Sequence, residues 1–193
     1  MKNLMLTVVL FCLSFAGFAQ TNAPLKMNLP ALDKSPMDMA YFPDNYPVLK
    51  IQGKAAEPLL VRVIYSRPQR DNRTIFGGLV EYNQVWRLGA NEATEIEFFK
   101  DVKIGSKKIA RGRYTLYAIP TPTQWTIIVN RDTDIWGAFK YDPKKDVVRI
   151  DVPVEKTTIP AEAFSINFEK TENGVNMVMS WDDVTTTLPI VTK

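Results

Sequence analysis

The fold of this chain is decided by the stretch from Thr94 to Asn130, TEIEFFKDVKIGSKKIARGRYTLYAIPTPTQWTIIVN. Ile96 and Phe98 alternate with charged residues, which predicts a strand with one apolar face. Gly105 and Ser106 then separate two short apolar segments and predict a tight hairpin. Longer segments rich in β-branched and aromatic residues follow on both sides of a proline-containing break. The stretch therefore predicts a succession of short antiparallel strands.

The same period of two continues outside this stretch. Upstream, residues 59–66 predict one more strand, and Asn173-Gly174 is a strong hairpin signal downstream. Further strands are predicted for residues 147–154, 164–169, 175–181 and 185–191. In all, about nine or ten short strands with frequent turn signals and no convincing amphipathic helix predict an all-β domain. We expect a single antiparallel β-sandwich or barrel-like domain over residues 59–193.

The N-terminal part of the chain has a different composition. Residues 1–19 combine Lys2, an apolar run and small residues at the end, which predicts a secretory signal peptide cleaved after Ala19. The apolar run is shorter than the ~20 residues of a membrane-spanning helix. Residues 20–58 hold six of the 13 prolines, which predicts an extended segment with one short strand at 48–51. We expect a periplasmic or secreted protein with no membrane span in its mature chain.

Two absences narrow the chemistry. The chain has no histidine, and its one cysteine, Cys12, lies in the predicted signal peptide. Histidine-dependent catalysis, thiolate chemistry and disulfides are therefore excluded from the mature chain. Asp132 and Asp134 lack the glycine and closing glutamate of a calcium loop, so we expect no metal and no cofactor. The formal charge of +3 is spread along the chain, without the basic face of a nucleic-acid binder.

Four blocks of this sequence resemble the DUF2911 family. They are YSRP at 65–68, IFGGLVEYNQVWRLGANEATEI at 75–96, GRYTLYAIP at 112–120 and WTIIVNRDTDIWGAFKYDPKKDVVRI at 125–150. The blocks match in order, and the resemblance spans roughly residues 59–190. It implies an all-β protein of the kind secreted by Bacteroidetes-type bacteria. It implies no activity, because the family has no assigned function.

The segment 74–94 is the least strand-like part of the domain and holds its densest set of polar and aromatic residues. Trp86 could stack on a ligand, and Arg87 could bind a carboxylate or phosphate as a planar fork. Asn91 could hydrogen-bond a hydroxyl, and Glu92 could act as a base or a ligand. In the alternative interpretation, Trp86 fills the core, Arg87 pairs with Glu92 and Asn91 forms a turn. Both interpretations remain open at this point.

Two other groups extend the candidate site. Arg67, Arg70 and Arg73 lie on one loop and suit an anionic ligand such as an acidic sugar or a phosphate, unless the loop is only solvated and Arg67 pairs with a carboxylate. Trp136 and Tyr141 follow a strand in an irregular segment and could stack on a sugar ring. Trp125, by contrast, alternates with apolar residues and is expected in the core.

Three functions are compatible with these residues. The leading hypothesis is a non-catalytic binding or accessory module for a carbohydrate or another small envelope ligand, including an anionic one. The second is a glycosidase-like hydrolase that uses carboxylates, with Glu92 as the first candidate. The third is a structural envelope protein without a ligand. The hypotheses separate on whether Glu92 faces solvent or an arginine.

Overall fold

The computed structural model describes residues 28–192, so the predicted signal peptide lies outside the described residues. The chain divides into two compact units, Met1–Ala31 and Leu32–Lys193. Residues 28–31 of the first unit carry no regular secondary structure. All the helices and strands described below belong to the second unit.

Residues 28–192 form nine strands, one α-helix and one 3-10 turn. In chain order these are β1 (Met37–Phe42), α1 (Tyr46–Ile51), β2 (Val61–Ser66), β3 (Glu95–Phe98), β4 (Val102–Ile104), β5 (Lys107–Ile109), β6 (Gly112–Pro120), β7 (Gln124–Asn130), the 3-10 turn (Pro143–Lys145), β8 (Asp146–Thr171) and β9 (Gly174–Val191). All strand pairs are antiparallel. The prediction of an all-β antiparallel domain with about nine or ten strands is confirmed.

The strands form one open sheet in the order β1-β2-β3-β6-β7-β8-β9-β4-β5. The hairpin predicted at Gly105 and Ser106 joins β4 to β5, and the hairpin predicted near Asn173 joins β8 to β9. Strands β1 and β5 are the two edges, so the sheet does not close into a full barrel.

The last two strands are longer than the sequence predicts. Strand β8 has 26 residues and β9 has 18, and each contains two of the predicted short strands. The register of the pair shifts between Lys156 and Ala161, and again between Ala161 and Ser165. Bulges of this kind bend a strand and interrupt its alternation, which explains why each strand reads as two in the sequence.

The bend brings the far part of the β8–β9 hairpin across the core from β2. The main-chain nitrogen of Ile166 in β8 donates a 3.0 Å hydrogen bond to the hydroxyl of Tyr65 in β2. The core between them holds a cluster of aromatic rings. Trp86 meets Trp125 edge to face at 5.6 Å and lies 6.0 Å from the nearly parallel ring of Trp181. The prediction that Trp125 lies in the core is confirmed, because only 1% of it is exposed.

The proline-rich segment contributes an edge strand and a short helix. Strand β1 pairs with β2 from Met37 opposite Ser66 to Phe42 opposite Val61. The strand predicted at 48–51 is wrong, because these residues lie in α1. Pro47 lies in the first turn of that helix, where its fixed φ is favourable and its missing N–H breaks no helical hydrogen bond. The helix has no buried residue, which explains why the sequence shows no amphipathic pattern there.

Candidate functional site

The segment 86–94 is a compact loop anchored on β6. The backbone of Trp86 exchanges two hydrogen bonds, of 2.7 and 2.9 Å, with that of Ala118. The indole nitrogen of Trp86 donates to the carbonyl oxygen of Gly89 at 3.1 Å. Leu88 and Asn91 both adopt left-handed backbone conformations, with φ of 54° and 57°. The chain therefore turns sharply on either side of Gly89, with Trp86 and Leu88 in the core and Arg87 and Asn91 partly buried.

Gly89 brings this loop against the end of β2. A Cβ atom at this position would lie 3.0 Å from the carbonyl oxygen of Ser66, which is tighter than ordinary packing allows. The hydroxyl of Thr94 also donates to the carbonyl oxygen of Leu88 from within the domain. These contacts fix the position of Arg87 relative to the sheet.

A second loop, around Trp136, is pinned to the first one. The main-chain nitrogen of Ala93 donates to the oxygen of Ile135 at 2.8 Å, and that of Gly137 donates to the oxygen of Asn91 at 2.9 Å. These bonds hold Trp136 opposite Glu92 as an isolated antiparallel bridge. The side chain of Trp136 is 60% exposed.

The N-terminal segment forms the third wall of the site. The side-chain nitrogen of Asn91 donates a 2.9 Å hydrogen bond to Oδ2 of Asp33. The other oxygen of Asp33 accepts a 2.6 Å bond from the main-chain nitrogen of Ser35. The sequence does not predict Asp33 and Ser35 as site residues. They lie in a proline-rich segment without periodicity, and nothing in its sequence indicates which distant loop the segment contacts.

Two adjoining depressions lie between these three segments. The arginine cleft, of about 270 Å³, is lined by residues that include Arg73, Trp86, Arg87 and Trp181. The acidic cleft, of about 250 Å³, is lined by residues that include Asp33, Glu92 and Trp136. Both clefts have Ser35 and Asn91 in their linings, so they adjoin at these two residues, and the two clefts together are called the groove below.

Arg87 is the most unusual charged residue of the groove. Three arginines in the described chain have a buried Nε atom without a hydrogen-bond acceptor, namely Arg62, Arg70 and Arg87. Arg62 still forms an ion pair with Glu97, and Nε of Arg70 itself lies 3.0 Å from Oδ1 of Asp182, so both arginines have a carboxylate partner although their Nε atoms make no hydrogen bond. No ion pair within residues 28–192 involves Arg87. Partial burial lowers the pKa of its guanidinium below the ordinary value, because the charged form loses hydration.

Glu92 does not neutralise Arg87. Its side chain is exposed, and no salt bridge joins the two residues in the described part of the chain. The alternative in which they form a buried brace is therefore not what the structure has. Glu92 instead faces the acidic cleft on the opposite side of Asn91.

The arginines of the 67–73 loop have different surroundings. The guanidinium of Arg67 binds the carboxylate of Asp38 at 2.9 Å, Oγ of Ser165 at 2.9 Å and the carbonyl oxygen of Phe164 at 3.2 Å. It therefore joins β1 to β8 and has little capacity left for a ligand. Within residues 28–192, Arg73 donates only to main-chain oxygens of its own loop and forms no ion pair, and it lines the arginine cleft.

Tyr141 lies outside the groove, although the sequence groups it with Trp136. Its hydroxyl donates to Oδ2 of Asp146 at 2.6 Å and accepts from Arg149, and its ring meets Tyr117 edge to face at 5.0 Å. Burial and the Asp146 hydrogen bond raise the pKa of Tyr141 to about 12. The side chain is thus engaged in a local network.

No group of three or more metal-ligating side chains occurs in the described residues. The aspartates considered for calcium are engaged elsewhere. Asp132 pairs with Lys145 at 2.6 Å, and Asp134 pairs with Arg113 at 2.7 Å. Across residues 28–192, no helix is long and apolar enough to cross a membrane.

A larger cavity of about 550 Å³ lies at the turn of the β8–β9 hairpin. Two of its charged lining residues, Glu57 and Lys170, pair with each other at 2.5 Å. This cavity therefore presents less uncompensated charge than the groove does, and the groove remains the better candidate site despite its smaller volume.

Comparison with known proteins places the chain in one family and gives no functional relative. The family model described as "Protein of unknown function (DUF2911)" matches residues 48–190. A search of curated proteins and a search of solved structures each found no significant match.

Proposed function

We propose that this chain, which belongs to the DUF2911 family, is a non-catalytic binding module for a small anionic ligand, such as a sugar that carries a carboxylate. The family itself has no described function. One observation carries the proposal. The guanidinium of Arg87 is partly buried, lines the arginine cleft and has no carboxylate partner among the described residues.

An unpaired, partly buried charge is costly. A cation that has lost part of its hydration is unfavourable unless an anion or a set of acceptors replaces the water. A ligand carboxylate would supply two oxygens in the plane of the guanidinium, the geometry that arginine binds best. Arg73 adds a second cation to the same cleft. The cleft is thus suited to an anionic group.

The rest of the groove suits a polar ring. Ser35 and Asn91, which line both clefts, carry groups that can hydrogen-bond hydroxyls. Trp136 presents an exposed aromatic face at the other end of the groove, and such faces pack against the apolar face of a sugar. Each cleft is slightly smaller than the ~300 Å³ at which pockets for drug-sized ligands begin, so a single ring is the expected size.

Calorimetric titration with glucuronate and glucose tests the proposal. We expect glucuronate to bind and glucose to bind at least about tenfold more weakly, since one charge-assisted pair has roughly this effect. Arg87→Gln should remove the difference between the two sugars. Arg111→Gln is the matched control, because Arg111 is exposed on a turn remote in sequence from the groove. Equal binding of glucuronate by wild type and Arg87→Gln would overturn the proposal, and so would the absence of any anion binding.

A carboxylate-dependent hydrolase centred on Glu92 is the second candidate. One observation favours it: Glu92 and Asp33 line the same cleft, so two carboxylates face one space. Incubation with aryl β-glycosides, followed by NMR of the products, separates it from a binding module. Turnover that Glu92→Gln abolishes would favour the hydrolase, whereas binding without turnover favours the module. A structural envelope protein predicts neither.

We also propose that the chain acts in the periplasm or outside the cell, after removal of residues 1–19. The support is the order of a basic residue, an apolar run and small residues before Gln20. Mass spectrometry of the exported protein should find Gln20 as its first residue. Retention of residues 1–19 in the mature protein would contradict this proposal.

A further inference from the structure

The acidic cleft carries negative charge that an anionic ligand alone does not explain. In the part of the chain that the structure describes, Asp33 accepts hydrogen bonds only from uncharged donors, the main chain of Ser35 and the amide of Asn91. Glu92 is exposed and forms no ion pair within the described residues. Both carboxylates therefore lie at the surface of the groove without a cation partner among residues 28–192.

Two carboxylates next to the acidic cleft do have a cation as a partner. Glu95 and Asp134 lie close to this cleft, and both pair with Arg113, at 3.4 and 2.7 Å. The two carboxylates that line the acidic cleft are thus the ones that the surrounding protein leaves without a cation. This difference points to a counter-charge that comes from a ligand.

The two ends of the groove have opposite charge and are joined. Arg73 and Arg87 supply two positive charges at one end, and Asp33 and Glu92 supply two negative charges at the other. A ligand with only an anionic group would be attracted by the arginines and repelled by the carboxylates a few residues away. A ligand with both charges would be attracted at both ends.

Trp136 adds a second reason to expect a cation at the acidic end. Its indole ring is 60% exposed and lines the cleft together with both carboxylates. The face of an indole attracts an ammonium group, and carboxylates beside the ring strengthen this attraction. An aromatic face beside two carboxylates that have no cation partner among the described residues is a suitable environment for a protonated amine.

We propose that the groove binds a zwitterionic ligand, a small ring compound with a carboxylate that binds Arg87 and a free amine that binds between Trp136, Asp33 and Glu92. This inference rests on the proposed function, because its anionic end is the same arginine cleft. It narrows the ligand class from acidic sugars in general to those that also carry an unmodified amine.

Four sugars separate the contributions of the two charges. Muramic acid carries both charges, N-acetylmuramic acid only the carboxylate, glucosamine only the amine and glucose neither. Calorimetric titration at pH 6 and low salt keeps the amines protonated and limits screening. We expect wild type to bind muramic acid about tenfold more tightly than N-acetylmuramic acid, the effect of one ion pair with an additional cation–π contact.

Variants that remove a negative charge test whether the preference for the free amine arises in the acidic cleft. Glu92→Gln and Asp33→Asn should each reduce the preference for the free amine, and their combination should bring the ratio of the two affinities close to one. Glu155→Gln, at an exposed position of β8, is the matched control and should leave the ratio unchanged. If Asp33→Asn fails to fold, Glu92→Gln alone decides, because the exposed side chain of Glu92 makes no hydrogen bond or ion pair within the described residues.

The outcomes distinguish this inference from the proposed function. Equal binding of muramic and N-acetylmuramic acid by wild type, with both lost in Arg87→Gln, overturns the inference and leaves the anion-binding function standing. A preference for the free amine that survives the combined acidic variant also overturns it. Failure of all four sugars to bind wild type overturns both.

Discussion

The side chain of Asn91 donates a 2.9 Å hydrogen bond to Asp33, and this contact joins two residues that lie 58 positions apart in the chain. It ties the proline-rich N-terminal segment to the loop that carries Arg87. The same Asn91 has a left-handed backbone, with φ of 57°. The residue thus has two separable roles, one in the backbone of the loop and one in the side-chain contact that completes the groove.

Substitutions of Asn91 by glycine and by alanine separate these roles. Both changes remove the hydrogen bond to Asp33, but glycine tolerates the left-handed conformation and alanine does not. We expect Asn91→Ala to lower the free energy of unfolding by about 1 kcal/mol more than Asn91→Gly. Urea unfolding measures this difference. Equal losses would mean that the backbone leaves the left-handed region without cost, and that this turn does not hold Arg87 in place.

Arg87 should contribute to binding without contributing to stability. Its charge is partly buried and has no ion-pair partner within residues 28–192, so Arg87→Gln should leave the free energy of unfolding unchanged or raise it by up to about 1 kcal/mol. Arg62→Gln is the matched change, because Arg62 has the same buried Nε atom but pairs with Glu97. It should lower stability by up to about 1 kcal/mol.

Chemical denaturation of the two arginine variants in parallel provides the measurement. The expected result is a loss of stability for Arg62→Gln and no loss for Arg87→Gln. A larger loss for Arg87→Gln than for Arg62→Gln would contradict the ion-pair pattern. It would mean that Arg87 stabilises the fold and that its guanidinium is not available to a ligand.

The sequence predicts the sheet well, for a simple physical reason. The alternation of Ile96 and Phe98 with glutamates follows from a strand with one face in the core, and both residues are almost fully buried in β3. The hairpin at Gly105 follows from local turn geometry, because its φ of 57° suits glycine. Strand alternation and tight turns depend on residues that are neighbours in the chain, so the sequence pattern predicts them.

The groove is less visible in the sequence, because it depends on contacts between distant segments. Arg87, Asn91 and Glu92 are neighbours in the chain, and their grouping could be predicted. The position of Trp136 opposite Glu92 and the contact of Asp33 with Asn91 could not, since neither leaves a periodic signal. The one charged partner of Arg67, Asp38, and the lack of such a partner for Arg87 among the described residues likewise appear only in three dimensions.

Trp136 provides an optical test of the groove. It is 60% exposed, whereas the other three tryptophans of the chain are at most 8% exposed. Acrylamide should therefore quench mainly Trp136, and saturating glucuronate should protect it by covering its ring. We expect Trp136→Phe to remove both the accessible component of the fluorescence and its response to the ligand.

A neighbouring aromatic residue serves as the control for this experiment. Phe139 lies in the same loop and is 83% exposed, but it is not among the residues that line the groove. Phe139→Ala should therefore keep the protection by glucuronate. If glucuronate binds but the quenching of Trp136 does not change, the ligand does not contact this ring and the acidic cleft is not part of its site.

The pair Tyr117 and Tyr141 should make the fold sensitive to strong alkali. Burial, followed by the charges of Asp132 and Asp146, raises the pKa of Tyr117 from 10.0 to about 12. The folded state therefore favours the neutral phenol, so this contribution to stability is complete below pH 10 and is lost as the pH rises towards 12. Each unit of pKa difference corresponds to about 1.4 kcal/mol. The free energy of unfolding, measured by urea titration from pH 9 to 12, should fall less steeply for Tyr117→Phe than for wild type. Equal slopes of unfolding free energy against pH would show that Tyr117 ionises as readily in the folded chain as in the unfolded one.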